Sequence, residues 1–157
     1  MSIVLVRVDD RLVHGQVVVG WVQALGAKRI ALVDDGVRAN TWEQELYQLG
    51  VPPELHLEFA SVDEAAERVP AWREAGEKVI VLVGSVESAV RLCQACADID
   101  RVNIGGIHDA TGRTQRLRYV YLSDEEVATL KQLGEGGVHV SAQDVPTAKP
   151  VPVEGLR

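Results

Sequence analysis

The chain has 157 residues, 46% of them hydrophobic, and its sixteen basic and twenty-three acidic side chains leave a formal charge of -7 at pH 7. That is the size and apolar content of one domain, residues 1–157, whose core needs neither disulfides nor a metal. The acidic balance and the lack of any Lys/Arg cluster argue against nucleic acid or an anionic membrane surface as the main partner. Without a signal-peptide core or a membrane span, the expectation is a soluble cytoplasmic protein that serves a membrane, if at all, through a partner.

In chain order, "SIVLVRV" at 2–8 is an apolar run that predicts a buried strand, and "IALVD" at 30–34, "LHLEF" at 55–59 and "KVIVLV" at 78–83 repeat its character. "QVVVGWVQAL" at 16–25 carries apolar residues on several faces and predicts a well-buried helix. "TWEQELYQLG" has Thr41 and Gln44 in capping-box spacing and ends on glycine, while "SVDEAAERVPAWREAG" pairs Ser61 with Glu64 in the same way, with Pro70 expected to kink or divide that helix. A helix over 86–97 follows, then a strand "RVNI", a loop "GGIHDATGRTQ", a strand "LRYVYL" and a helix capped by Ser123 and Glu126. "GEGG" at 134–137 reads as a C-cap and turn, "VHVSA" as a last short strand, and the three-proline tail "VPTAKPVPVEGLR" as extended. Alternating strands and helices, with the first strands apolar on both faces, predict an α/β fold built on a doubly wound, mostly parallel sheet with helices on both faces.

In such a fold ligands bind outside the carboxyl ends of the strands, where "RVDDRLVHGQV" at 7–17 leaves the first strand. Gly15 is expected to release the backbone ahead of a helix whose first N–H groups have no intrahelical partners and meet an anion together with the positive helix end. Arg11 can add a guanidinium fork suited to phosphate oxygens, and the neutral imidazole of His14 is a nucleophile that can take a phosphoryl group without a deprotonating base. Asp9 or Asp10 could fix the ring's tautomer, or cap the loop, and the spacing leaves both open. The lone C-x-x-C of Cys93 and Cys96 falls inside a predicted helix rather than at a helix start, so both are read as small residues in or near the core. His56 and His139 read as strand residues, and His108 as an exposed loop histidine that could approach the His14 site.

"RVDDRLVHGQV" resembles the phosphorylation-site signature of the IIB components of the mannose/fructose/sorbose family of the bacterial phosphoenolpyruvate-dependent sugar phosphotransferase system. "IALVDDGVRAN", "RVNIGGI" and "VSAQDVP" resemble that family's second strand, fifth strand and C-terminal region, so the similarity runs through nearly the whole chain. The resemblance implies a cytoplasmic, homodimeric α/β subunit, peripherally attached to the membrane through its partners. It would take phosphate from a phosphohistidine on a IIA protein and pass it to a sugar at the membrane-embedded IIC and IID subunits, with no cofactor. It places the acceptor on His14, with the phosphoryl group on Nδ1, and the phosphate-stabilising role on Arg11. Gly15, Gly105, Gly106 and His108 are candidate phosphate or substrate contacts. "VGSVES" departs from the family's polar segment after the fourth strand, and there Ser85 and Ser88 either supply hydroxyls or cap the helix. "IHDATGRTQRLRYV", with His108, Asp109, Arg113 and Arg116, departs further and bears on the choice of sugar or partner. A regulatory phospho-acceptor that signals by protein binding is the alternative function. A receiver-like phosphoaspartate domain with Asp9 and Asp10 as a metal pair is disfavoured, because "LHLEFAS" offers no aspartate at the third strand's end.

Overall fold

A computed structural model describes residues 2–157. The strands are β1 (Ile3–Val8), β2 (Arg29–Val33), β3 (His56–Ala60), β4 (Val79–Val83), β5 (Arg101–Ile104), β8 (His139–Ala142) and β9 (Val151–Pro152), in the sheet order β3-β2-β4-β1-β5-β8-β9. All neighbours run parallel except β9, which pairs antiparallel with β8. A separate two-stranded hairpin is formed by β6 (Thr114–Leu117) and β7 (Val120–Leu122).

β4 shows why the strands read as continuous apolar runs. All five of its residues are buried, and alternate side chains enter different cores: Ile80 and Leu82 on one face, Val79, Val81 and Val83 on the other. The first face is covered by the segment Gln16–Val22 through Val17 and Trp21, and by the short helix α2 (Asp35–Arg38) through Val37. Helix α3 (Thr41–Leu49) adds Tyr47. The second face is covered by α4 (Val62–Arg73), α5 (Val86–Ala95) and α6 (Asp124–Glu135). The α/β, doubly wound, mostly parallel sheet expected from the sequence is therefore the observed fold.

Several local expectations are corrected. Gln16–Val22 is a π-helix that becomes α-helical only for the turn α1 (Gln23–Leu25), ending at Gly26 with φ +69°. Asn40, not Thr41, caps α3, accepting from the Glu43 N–H at 3.1 Å, while the Gln44 side chain instead donates to the carbonyls of Val37 and Arg38. Pro70 does not divide α4. A proline removes one N–H that would bond the carbonyl four residues earlier, and at Ala66 that carbonyl faces the Cys96 thiol, which donates to it at 3.7 Å. "LRYVYL" is not one strand: Arg118 and Tyr119 form the turn of the β6–β7 hairpin. The tail is not extended throughout: residues 145–148 form bends and a turn in which the Ala148 N–H bonds the Val145 carbonyl at 3.0 Å, β9 supplies two extended residues, and Val153–Leu156 is a 3-10 turn whose Val153 and Leu156 are buried against the second core.

Cys93 lies in α5 and Cys96 caps its end, both buried. Burial pushes the Cys93 thiol up to about 11, aided by the neighbouring Cys96. Reactivity follows the thiolate. The folded protein at about pH 8 should therefore resist a disulfide reagent at both thiols and react rapidly in denaturant; fast modification of the native protein would show a helix end that opens.

Candidate functional site

After β1 the chain crosses towards β2, and after β5 it crosses towards β8 in the opposite direction, so a crevice opens at the carboxyl ends of these two adjacent strands. Three loops meet there: 9–15 after β1, 105–108 after β5 and 143–146 after β8.

The centre of the crevice is Asp9, whose side chain is fully buried. Its Oδ1 accepts from the Arg11 backbone N–H at 3.1 Å and from Arg11 Nε at 3.2 Å. Its Oδ2 accepts from Arg11 Nη2 at 3.2 Å, Arg7 Nη2 at 3.5 Å and the Gly106 N–H at 3.4 Å, and lies 3.1 Å from His14 Nε2. Burial alone would raise this carboxyl's pKa, but the hydrogen bonds from His14 and Arg11 outweigh it and hold the group far below the usual carboxylate range. A carboxylate accepts only, so the facing His14 nitrogen, Nε2, carries a proton, and Nδ1 is the ring nitrogen left outside that contact. Of the two aspartates that the sequence leaves open, Asp9 is the one that holds the ring.

Arg7 is the residue sequence reasoning missed. It is fully buried, lies 4.8 Å from the centroid of the Trp21 ring, and donates to Asn103 Oδ1 and to the carbonyls of Gln143 (2.8 Å) and Asp144 (3.1 Å). The signal was present in the sequence: an arginine inside an apolar run that becomes the central strand needs a counter-charge. Gln16, Asn103 and Asp144 were also missed. Gln16 accepts from Arg11 Nη2 at 2.9 Å and donates to Asp144 Oδ1 at 3.0 Å.

The glycines divide into two kinds. A Cβ on Gly105 would overlap the Arg7 guanidinium, and one on Gly106 would lie 3.0 Å from Arg11 Nη2, so both positions admit an arginine against bare backbone. Gly15 differs from expectation. Its φ of -54° and ψ of -41° are ordinary right-handed helix, and a Cβ there would meet nothing within 4 Å. The backbone reversal falls instead on Leu12, with φ +58° and a buried side chain, its N–H bonded to the Asp9 carbonyl at 2.9 Å. A non-glycine residue held in the left-handed region costs about 1–3 kcal/mol and persists where surrounding contacts impose it.

Ser85 and Ser88 belong to the start of α5: Ser85 Oγ accepts from the Ser88 N–H and donates to Ser88 Oγ, each at 3.1 Å. His108 meets the first loop through Asp10, as its N–H and Nδ1 each lie 2.7 Å from that carboxylate. His56 and His139 open β3 and β8, both exposed, on the first residues of their strands.

Two consequences are measurable. Gly105→Ala should cost about 1–3 kcal/mol of stability by forcing Arg7 aside, whereas Gly15→Ala should be neutral or stabilising by about 0.4–1 kcal/mol; urea denaturation decides both. Asp9→Asn should cost about 3–5 kcal/mol at neutral pH, because Arg7 stays buried without its counter-charge. The folded carboxyl titrates below the unfolded one, so its contribution is complete above about pH 4 and is lost as pH falls through the depressed folded value. The variant should lack that part of the acid destabilisation seen for the parent protein.

Comparison with known proteins gives this geometry its context. Residues 3–156 match the family model described as the PTS system sorbose subfamily IIB component. The chain is 30% identical over 148 residues to the N-acetylgalactosamine-specific phosphotransferase enzyme IIB component 1 of Escherichia coli (strain K12), covering 92% of each protein. It is 31% identical over 147 residues to the mannose-specific EIIAB component of the same strain, covering 94% of this chain but only 46% of that protein. Among solved structures it superposes on the IIBSor domain of the sorbose permease of Klebsiella pneumoniae with a TM-score of 0.88 and 26% identity, over 99% of this chain and 96% of that one. The chain belongs to the sorbose-type IIB components of the phosphotransferase system, the proteins of phosphoryl transfer in sugar uptake.

Proposed function

We propose that His14 carries the phosphoryl group on Nδ1. It takes the group from a phosphohistidine on a IIA protein or domain and delivers it to a sugar at membrane IIC and IID subunits. The observation that supports this reading most directly is the Asp9 contact, which uses Nε2 and leaves Nδ1 as the nucleophile. In the first half-reaction the Nδ1 lone pair forms the new N–P bond while the donor's N–P bond breaks and its electron pair returns to the donor imidazole. In the second, the sugar hydroxyl oxygen bonds to phosphorus, its proton leaves to solvent or the membrane subunit, and the His14–P electrons return to the ring. Phosphoryl transfer depends on positioning and on stabilising the equatorial oxygens. Arg11, about one third exposed at the crevice mouth, and the N–H groups at the start of the π-helix can supply that stabilisation. On this reading the protein is cytoplasmic, held at the membrane face through its partners, and works as a homodimer.

His14→Gln should lose the Nδ1-linked phosphoryl group after incubation with phosphoenolpyruvate, the general phosphotransfer proteins and IIA, and should pass none to sugar. Wild-type sugar phosphorylation by this variant would move the acceptor elsewhere. Arg11→Lys keeps the charge but loses the fork that spans Asp9 and Gln16. Transfer should slow about tenfold to a hundredfold, equivalent to about 1.4–2.7 kcal/mol, and rapid-quench kinetics would reveal unchanged rates if backbone donors suffice.

A further inference from the structure

The adjacent aspartates of the first loop each hold a histidine, by opposite ring nitrogens. Asp9 Oδ2 takes His14 Nε2 at 3.1 Å, and Asp10 Oδ1 takes His108 Nδ1 at 2.7 Å. Among the described residues, His14 and His108 are the two of the four histidines that hydrogen-bond a carboxylate; His56 approaches Glu77 no closer than 3.9 Å. The Asp10 contact fixes the Nδ1–H tautomer of His108 and leaves the Nε2 lone pair on a side chain that is 71% exposed.

Holding the loop does not require this imidazole. The His108 N–H already bonds Asp10 Oδ2 at 2.7 Å, and the Asp10 N–H bonds the Gly106 carbonyl at 2.9 Å. Arg113 secures the far side, donating to the His108 carbonyl at 3.1 Å while forking onto Glu126 at 3.0 and 3.1 Å. The ring borders a pocket of about 250 Å³ whose lining includes Arg11, Gln16, Arg118, Tyr119 and Asp144. Arg118 reaches Asp144 at 2.6 Å yet remains largely exposed, so the pocket has a second, solvent-facing cation beside Arg11.

We propose that His108 is a second phosphoryl acceptor, modified on Nε2. The inference rests on the reading of His14 as the first acceptor, because the donor is the same histidine-bound phosphoryl group. The Nε2 lone pair forms the N–P bond, the donor's N–P bond breaks with its electrons returning to the donor ring, and Asp10 retains the Nδ1 hydrogen bond throughout. Arg11 and Arg118 receive the phosphoryl oxygens. The doubly modified protein would present a far more anionic loop to its next partner than the singly modified one.

The test uses the intact protein, phosphorylated through phosphoenolpyruvate, the general phosphotransfer proteins and IIA, and separately with phosphoramidate, which needs no partner. Phosphorus NMR separates the two ring isomers and intact mass gives the stoichiometry. Wild type should gain two phosphoryl masses with both Nδ1 and Nε2 resonances. His108→Gln should lose the Nε2 resonance and one mass while keeping Nδ1 and its normal thermal unfolding. His14→Gln should keep the Nε2 isomer alone. A His56→Gln/His139→Gln background excludes label on the other two histidines, so an Nε2 resonance that disappears there overturns the proposal. A wild type with one phosphoryl mass and the Nδ1 resonance alone overturns it too, leaving His14 intact as carrier. Absence of the Nδ1 isomer in wild type overturns the reading of His14 itself.

Discussion

A single carboxylate organises this molecule's working end. Asp9 is fully buried, and two guanidinium groups, two backbone N–H groups and an imidazole converge on its two oxygens. Burying a lone carboxylate would cost far more than any one of these contacts returns, so the arrangement is stable only as a set. The two glycines after β5 belong to that set because each gives way to a guanidinium. The left-handed Leu12 belongs to it as well, turning the loop back so that His14 faces the carboxylate its own strand delivers.

The same constraint explains how the two charges of the "DD" pair diverge in use. Asp9 faces inward and loses its contact with water, while Asp10, one residue on, faces the loop after β5 and stays partly exposed. Divergence just past the strand's end thus sends one carboxylate to the buried Arg7 and the half-buried Arg11 and the other to His108 in the loop that leads to the hairpin. The hairpin is attached through Ile107, whose N–H bonds the Tyr119 carbonyl and whose carbonyl accepts from the Tyr121 N–H, both at 3.0 Å.

How much of this was legible varied with how local its cause is. The parallel strands and the capping boxes at Ser61 and Ser123 were readable because apolar runs and side-chain-to-backbone spacing are properties of the chain itself. That His14 and Arg11 sit together in the loop at the carboxyl end of the first strand was readable from strand order and a long motif. The π-helix was not, since its apolar residues read equally well as an ordinary buried helix and no propensity encodes the wider turn. The β6–β7 turn escaped because Arg118 and Tyr119 carry none of the usual turn chemistry. Gly15 misled for the opposite reason: glycine permits an unusual backbone without requiring one, and here the unusual backbone went to a leucine.

Arg7 has a consequence for how the protein is made. Its partners lie just beyond β1, on β5 and just beyond β8, so the residues it joins span sequence positions 9 to 144. Contacts so distant along the chain form late in folding, after the cost of closing long loops has been met. A chain still emerging from the ribosome, or one whose β8 has come away, already contains the whole "DDRLVHG" segment, with the Arg11 and His14 that meet Asp9, but lacks the Asn103, Gln143 and Asp144 oxygens that accept from the buried Arg7. The inner end of β1 is therefore complete only once β8 and the residues just beyond it have docked, and until then Arg7 carries its charge into an unfinished core.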